Sequence, residues 1–148
     1  MTEAGRAASD EKRRVDVFFY GLFMDGDALR AQGFDPRDPR LAQVNDMALR
    51  LGERATLVPA RGGVVHGVLM RLAHAEIDRL YAEPSVAAYR AEPVSARTPD
   101  GGVVAALCFN LPESPAGGSS NPAYAAKLAV VARRLGLPEA YVEAIGRA

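Results

Sequence analysis

The stretch Val15-Asp16-Val17-Phe18-Phe19-Tyr20-Gly21-Leu22-Phe23-Met24-Asp25-Gly26 decides how this chain is read. Its first half is β-branched and aromatic, the composition of a strand, and Gly21 breaks it. Asp25 or Asp27 is placed to cap a helix carrying Ala28, Leu29 and Ala31. A strand that stops at Tyr-Gly and runs straight into a helix start leaves the next amides without ladder partners. Free N–H groups there suit a carboxylate or an oxyanion. A strand end that needs glycine for steric reasons explains the same residues, so both readings stand on the sequence.

Working outward, Gly33-Phe34-Asp35-Pro36-Arg37-Asp38-Pro39 carries two prolines flanked by aspartates and is expected to lack regular structure. Residues 41–58 fit either a helix or strands. Gly52 followed by Ala55-Thr56-Leu57-Val58 favours two strands and a tight turn. Arg61-Gly62-Gly63 reads as a turn, Val64 to Leu72 as a strand interrupted by Gly67, and Ala73 to Tyr81 as a short helix. Tyr89 to Arg97 and Val103 to Leu111 form a hairpin about Thr98-Pro99-Asp100-Gly101-Gly102. A Pro/Gly/Ser loop spans 112–122. A helix from Ala123 to Leu135 follows, then a second short helix beyond Pro138. Hairpins take the place of βαβ crossovers, which predicts an α+β domain: a mainly antiparallel, barrel-like sheet with packed helices.

Composition narrows the function classes. The chain has 148 residues, 49% of them apolar, enough for one full core. Eighteen basic residues balance eighteen acidic ones, which argues against attraction to nucleic acid or an anionic membrane. Cys108 is the single cysteine, so no disulfide or zinc cluster forms within the chain; it reads as strand filler. No apolar run approaches the ~20 residues of a membrane span, and residues 2–14 lack the apolar core of a secretory signal. A cytoplasmic protein is expected, with residues 1–14 a disordered lead-in and 15–148 the domain.

Several residues could carry chemistry. Glu83 follows the end of the 73–81 helix, and a carboxylate in a pocket can act as a general base because burial raises its pKa. A solvated loop carboxylate is the commoner case. His66 and His74 show no metal-ligand spacing to any Asp or Glu. None of the serines sits in a Gly-x-Ser-x-Gly elbow.

Together these pieces resemble the gamma-glutamylcyclotransferase-like superfamily. Phe18-Phe19-Tyr20-Gly21-Leu22-Phe23-Met24 is similar to its strand and Tyr-Gly-Ser/Thr-x-Leu/Met loop. Val65-His66-Gly67-Val68-Leu69-Met70-Arg71-Leu72 with Ile77-Asp78-Arg79-Leu80 is similar to its middle section, and Tyr89-Arg90 with Val94 to Asn110 to the continuation. The tail, Ser120-Asn121-Pro122-Ala123-Tyr124 with Gly136-Leu137-Pro138-Glu139-Ala140-Tyr141, is similar to the end of the true cyclotransferases.

The resemblance implies a mixed β-barrel with flanking helices and a pocket at the Tyr-Gly loop. It implies a transferase- or lyase-type activity without a cofactor. The substrate's α-amino group attacks its own γ-carbonyl and releases 5-oxoproline from a gamma-glutamyl amino acid or amine. A glutamate carries the proton and loop amides hold the substrate. Carried onto this sequence, Glu83 is the catalytic candidate, and Tyr20, Gly21, Leu22, Phe23, Met24 and Tyr89 the substrate-binding ones. The partner is then a small molecule with a free carboxylate, with a homodimer left open.

Two positions depart from the pattern. Leu22 replaces the loop's hydroxyl residue. A gapless alignment on Ile77-Asp78 puts Tyr81 at the glutamate position, and Glu83 takes it only across a two-residue insertion. Three readings follow: a cyclotransferase using Glu83, a non-catalytic binding module with the same pocket, or an enzyme acting on another amide through Tyr81 and Glu83.

Overall fold

The computed structural model describes residues 13–112 and 121–147. Five strands close into a barrel: β1 (Val15–Phe19), β2 (Arg37–Leu51), β3 (Ala55–Leu72), β4 (Arg90–Arg97) and β5 (Val103–Asn110), in the order β1-β3-β2-β4-β5. Neighbours run antiparallel except at the seam, where β1 lies parallel to β5 with Val17 opposite Leu107. The helices among the described residues are α1 (Gly26–Ala31), α2 (His74–Leu80), α3 (Pro122–Leu135) and α4 (Glu139–Gly146). None is long and apolar enough to cross a membrane.

The continuous apolar run of β1 is explained by burial on both faces. Phe18 and Tyr20 point into the barrel with Val44, Leu57, Val65, Leu69 and Cys108. Val17 and Phe19 point outward, into a second core with Leu29, Leu80, Leu128 and Val142 from the helices. Alternation thus splits one strand between two cores, and a slip of one residue would exchange them.

Long β2 and β3 make the main hairpin, turning at Gly52-Glu53-Arg54 as expected. Three expectations are corrected here. The Asp-Pro segment is not wholly irregular: β2 begins at Arg37 and absorbs Pro39 in a bulge, with Asp38 at φ 52°. Arg61-Gly62-Gly63 is not a turn but part of β3, facing a bulge at Asp46. The Asp46 carboxylate accepts the Gly62 N–H at 3.0 Å, and Gly62 takes φ 79°, which favours glycine. Nor does Gly67 interrupt its strand. It is needed because a Cβ there would stand 2.2 Å from the Phe19 carbonyl oxygen and 2.9 Å from the Phe18 ring.

Asp25, not Asp27, caps α1, accepting the N–H of Asp27 and Ala28 at 3.1 and 3.3 Å. Its second oxygen pairs with Arg134, tying α1 to α3. Of the expected lead-in, residues 1–12 lie outside the described residues. Arg14 belongs to the folded body, bonding the Asp35 carbonyl at 2.8 Å and the Glu76 carboxylate at 3.2 Å.

Candidate functional site

At the end of β1 the chain leaves the ladder at Tyr20, and Leu22–Met24 form one 3-10 turn closed by Met24 N–H to Gly21 O at 2.9 Å. The first N–H groups of such a turn have no acceptor within it. A cavity of about 420 Å³ opens beside this turn, bounded by Tyr20, Gly21, Leu22 and Phe23. Four other elements complete it: the hairpin tip at Glu53 and Arg54, the loop after α2 at Ser85, Val86 and Tyr89, the end of β5 at Phe109, and α3 at Tyr124. All the chain's aromatic residues except Phe34 and Tyr141 line it.

Hydroxyl groups hold this frame in place. Tyr20 donates to the Phe109 carbonyl at 2.6 Å, pinning the end of β1 to β5. Burial, foremost, pushes the Tyr20 phenol far above its ordinary value, while the nearby Thr56 hydroxyl pulls the other way. Thr56 in turn accepts the Leu111 N–H at 2.9 Å. Tyr89 donates to the Ala55 carbonyl, and Asn121 donates to the Glu53 carbonyl at 3.4 Å, so the hairpin tip is tethered on two sides. Burial raises Tyr89 to about 12, with Arg54 drawing it back.

Tyr124 sits behind the glycine. Burial, foremost, raises its phenol, and the Leu22 backbone pulls the other way. Its hydroxyl lies where a Cβ on Gly21 would come within 2.9 Å. The steric account of Gly21 therefore holds. It coexists with a pocket at the same turn.

Tyr81 forms a wall of the cavity. Its ring stacks on Phe109 with centroids 3.9 Å apart and planes 13° off parallel, and meets Phe23 edge-on at 6.0 Å. Burial pushes its phenol far above the ordinary value near 10. Glu83 lies exposed two residues on, outside the cavity lining, its carbonyl accepting the Val86 N–H at 3.0 Å. Glu53 is the carboxylate-bearing residue that does line the cavity.

Of the residues singled out from the sequence, Tyr20, Gly21, Leu22, Phe23 and Tyr89 meet at this cavity. Met24 turns instead into the helical core, 1% exposed, and does not line it. Phe109, Tyr124, Glu53 and Arg54 were missed. Tyr124 carried a signal, its place in the Asn121-Pro122-Ala123-Tyr124 tail. The hairpin tip carried none, since a charged tight turn reads as solvent-facing.

A closed mixed barrel with an aromatic cavity at its Tyr-Gly turn defines the class: a gamma-glutamylcyclotransferase-like fold. A family model described as "Gamma-glutamyl cyclotransferase, AIG2-like" matches residues 17–126, and the chain belongs to that family. A solved structure described as a gamma-glutamyl cyclotransferase superposes with a TM-score of 0.75 at 18% identity, covering 89% of this chain and 86% of that one. An uncharacterised Homo sapiens protein gives 0.74 at 19% identity, covering 90% and 86%. YkqA from Bacillus subtilis gives 0.75 at 23% identity; the match takes in 97% of this chain and 57% of that longer one. Likeness at these identities shows the fold. No protein in the curated set of sequences matches.

Proposed function

We propose that the cavity at Gly21–Phe23 binds a small carboxylate-bearing molecule of the gamma-glutamyl type, and that the chain acts there as a binding module. The observation that carries this reading is Tyr81. Cyclisation to 5-oxoproline needs a base to take the proton from the substrate's ammonium before the freed amine attacks the γ-carbonyl. On a gapless alignment Tyr81 takes the glutamate position, and a phenol raised by burial stays protonated at neutral pH. It can donate a hydrogen bond but cannot accept that proton.

A second reading is favoured by one observation, the placing of Glu53 at the cavity edge. It keeps the cyclotransferase reaction and gives the proton transfers to Glu53, or to Glu83 if the loop ending at Ser85 and Val86 brings it inward.

The test is 5-oxoproline release from a panel of gamma-glutamyl amino acids and amines, alongside thermal denaturation with each compound. The binding reading expects no release, with at least one compound raising the melting temperature as a native-state ligand must. Release by the wild type overturns it. Loss of that release in Glu53→Gln or in Glu83→Gln then names the base.

A further inference from the structure

We propose that Arg54 selects the ligand, and that the ligand carries an aromatic ring beside a carboxylate that Arg54 receives. This rests on the gamma-glutamyl reading above and adds the other half of the molecule: the acceptor portion is an aromatic amino acid. Two observations carry it.

The first is the wall. Tyr81, Phe109, Phe23 and Tyr89 face one space, and the Tyr81–Phe109 stack offers a flat surface. Rings pack on rings with ~0.5–1.5 kcal/mol beyond the area they bury. A cavity of about 420 Å³ lies within the roughly 300–1,000 Å³ range of small-molecule sites, so it has room for more than a glutamyl group.

The second is the charge at its edge. Arg54 lines the cavity yet makes no ion pair with a carboxylate among the described residues. Its backbone is fixed at the hairpin tip: the Gly52 N–H bonds the Arg54 carbonyl at 3.1 Å, and Tyr89 and Asn121 hold the flanking carbonyls. A guanidinium carried on that backbone at the rim of an apolar cavity suits a carboxylate through two parallel hydrogen bonds. Glu53 beside it suits the ammonium that a gamma-glutamyl conjugate carries next to its carboxylate.

Four probes test this by calorimetry: γ-glutamylphenylalanine, γ-glutamylglycine, γ-glutamylphenethylamide and N-acetylphenylalanine. γ-Glutamylphenylalanine is expected to bind at least about tenfold tighter than γ-glutamylglycine, because only the former buries a benzyl group. Deleting the carboxylate, or replacing Arg54→Met, is expected to weaken binding by about fivefold, the effect of an ion pair at an exposed rim. Arg54→Met should bind the phenethylamide as wild type does, which shows that the variant is folded, and Arg54→Lys should recover part of the loss. Equal affinity for the phenylalanine and glycine conjugates overturns the inference and leaves the gamma-glutamyl reading standing; so does an Arg54→Met variant that binds γ-glutamylphenylalanine normally. N-acetylphenylalanine binding as tightly as γ-glutamylphenylalanine keeps Arg54 and the aromatic wall but removes the gamma-glutamyl group. No binding by any of the four overturns both.

Discussion

Replacing Gly21 with alanine isolates one contact at the cavity. Gly21 has φ −109° and ψ −154°, extended backbone that any residue adopts, so alanine meets no conformational penalty. Space is the obstacle. The new Cβ would stand 2.9 Å from the Tyr124 hydroxyl, where ordinary contact begins at 3.4 Å. The phenol must retreat from the turn. Overpacking costs ~1–3 kcal/mol. Because the tip of a side chain yields more readily than a strand, the expected loss is about 1–2 kcal/mol. For a chain of this length that lowers Tm by about 2–8 °C in thermal denaturation followed by circular dichroism. Tyr124→Phe removes the hydroxyl and should by itself cost no more than about 1 kcal/mol. In the double variant the Cβ has no hydroxyl to meet, so the combined loss should fall short of the sum by at least ~0.5 kcal/mol. Strictly additive losses would refute the contact between Gly21 and Tyr124.

Gly67→Ala should cost more, ~3 kcal/mol or above, because its Cβ meets a ladder carbonyl at 2.2 Å that cannot swing away. Urea denaturation checks this, and a loss no larger than that of Gly21→Ala would contradict the account of the β1–β3 ladder. The tyrosines predict the alkaline limit of the fold. All five, Tyr20, Tyr81, Tyr89, Tyr124 and Tyr141, have phenols raised above 10, chiefly by burial. A group raised in the folded state contributes stability that is complete below its unfolded value. That stability is lost as pH climbs from about 10 toward the folded values, about 12 for Tyr89 and Tyr141. Tyrosinate absorbance and loss of far-ultraviolet dichroism should therefore rise in one transition; phenols that ionise near pH 10 with the fold intact would sink the burial argument.

The elements legible in the sequence are those with a local cause. β1 followed from its apolar run, the β4–β5 hairpin from Asp100-Gly101, and α1 from an aspartate before a periodic segment. What sequence reading got wrong depends on the partner strand. Gly62 and Gly67 look like interruptions in isolation. They are continuous strand because Asp46 supplies a carboxylate to one and Ala42 of β2 pairs with the other. The site divides in the same way. Tyr20 to Phe23 form one contiguous turn and were found together, whereas Arg54, Phe109 and Tyr124 reach the cavity by barrel closure and helix packing. Met24 shows the converse: adjacent in sequence to the cavity turn, it is one step further round a 3-10 turn and faces the core.

On the proposed binding reading, Tyr81 is the residue at which fold and chemistry part company. Its neighbours are rings: Phe109 in a parallel stack, Phe23 on edge, and Tyr89 at 6.4 Å. A carboxylate in that setting would lose its hydration, its pKa would rise, and it would become a better proton acceptor. A phenol in the same setting differs in function, since desolvation holds it protonated and Tyr81 itself cannot take the proton at neutral pH. Yet the phenol suits the structure, because each ring pair adds ~0.5–1.5 kcal/mol that a carboxylate would forgo. The barrel interior is indifferent to the exchange, for its core of Phe18, Val65, Leu69 and Cys108 is complete without position 81. One residue at the cavity wall can therefore decide between turning over a ligand and holding it, while the barrel and its Tyr-Gly turn stay unchanged.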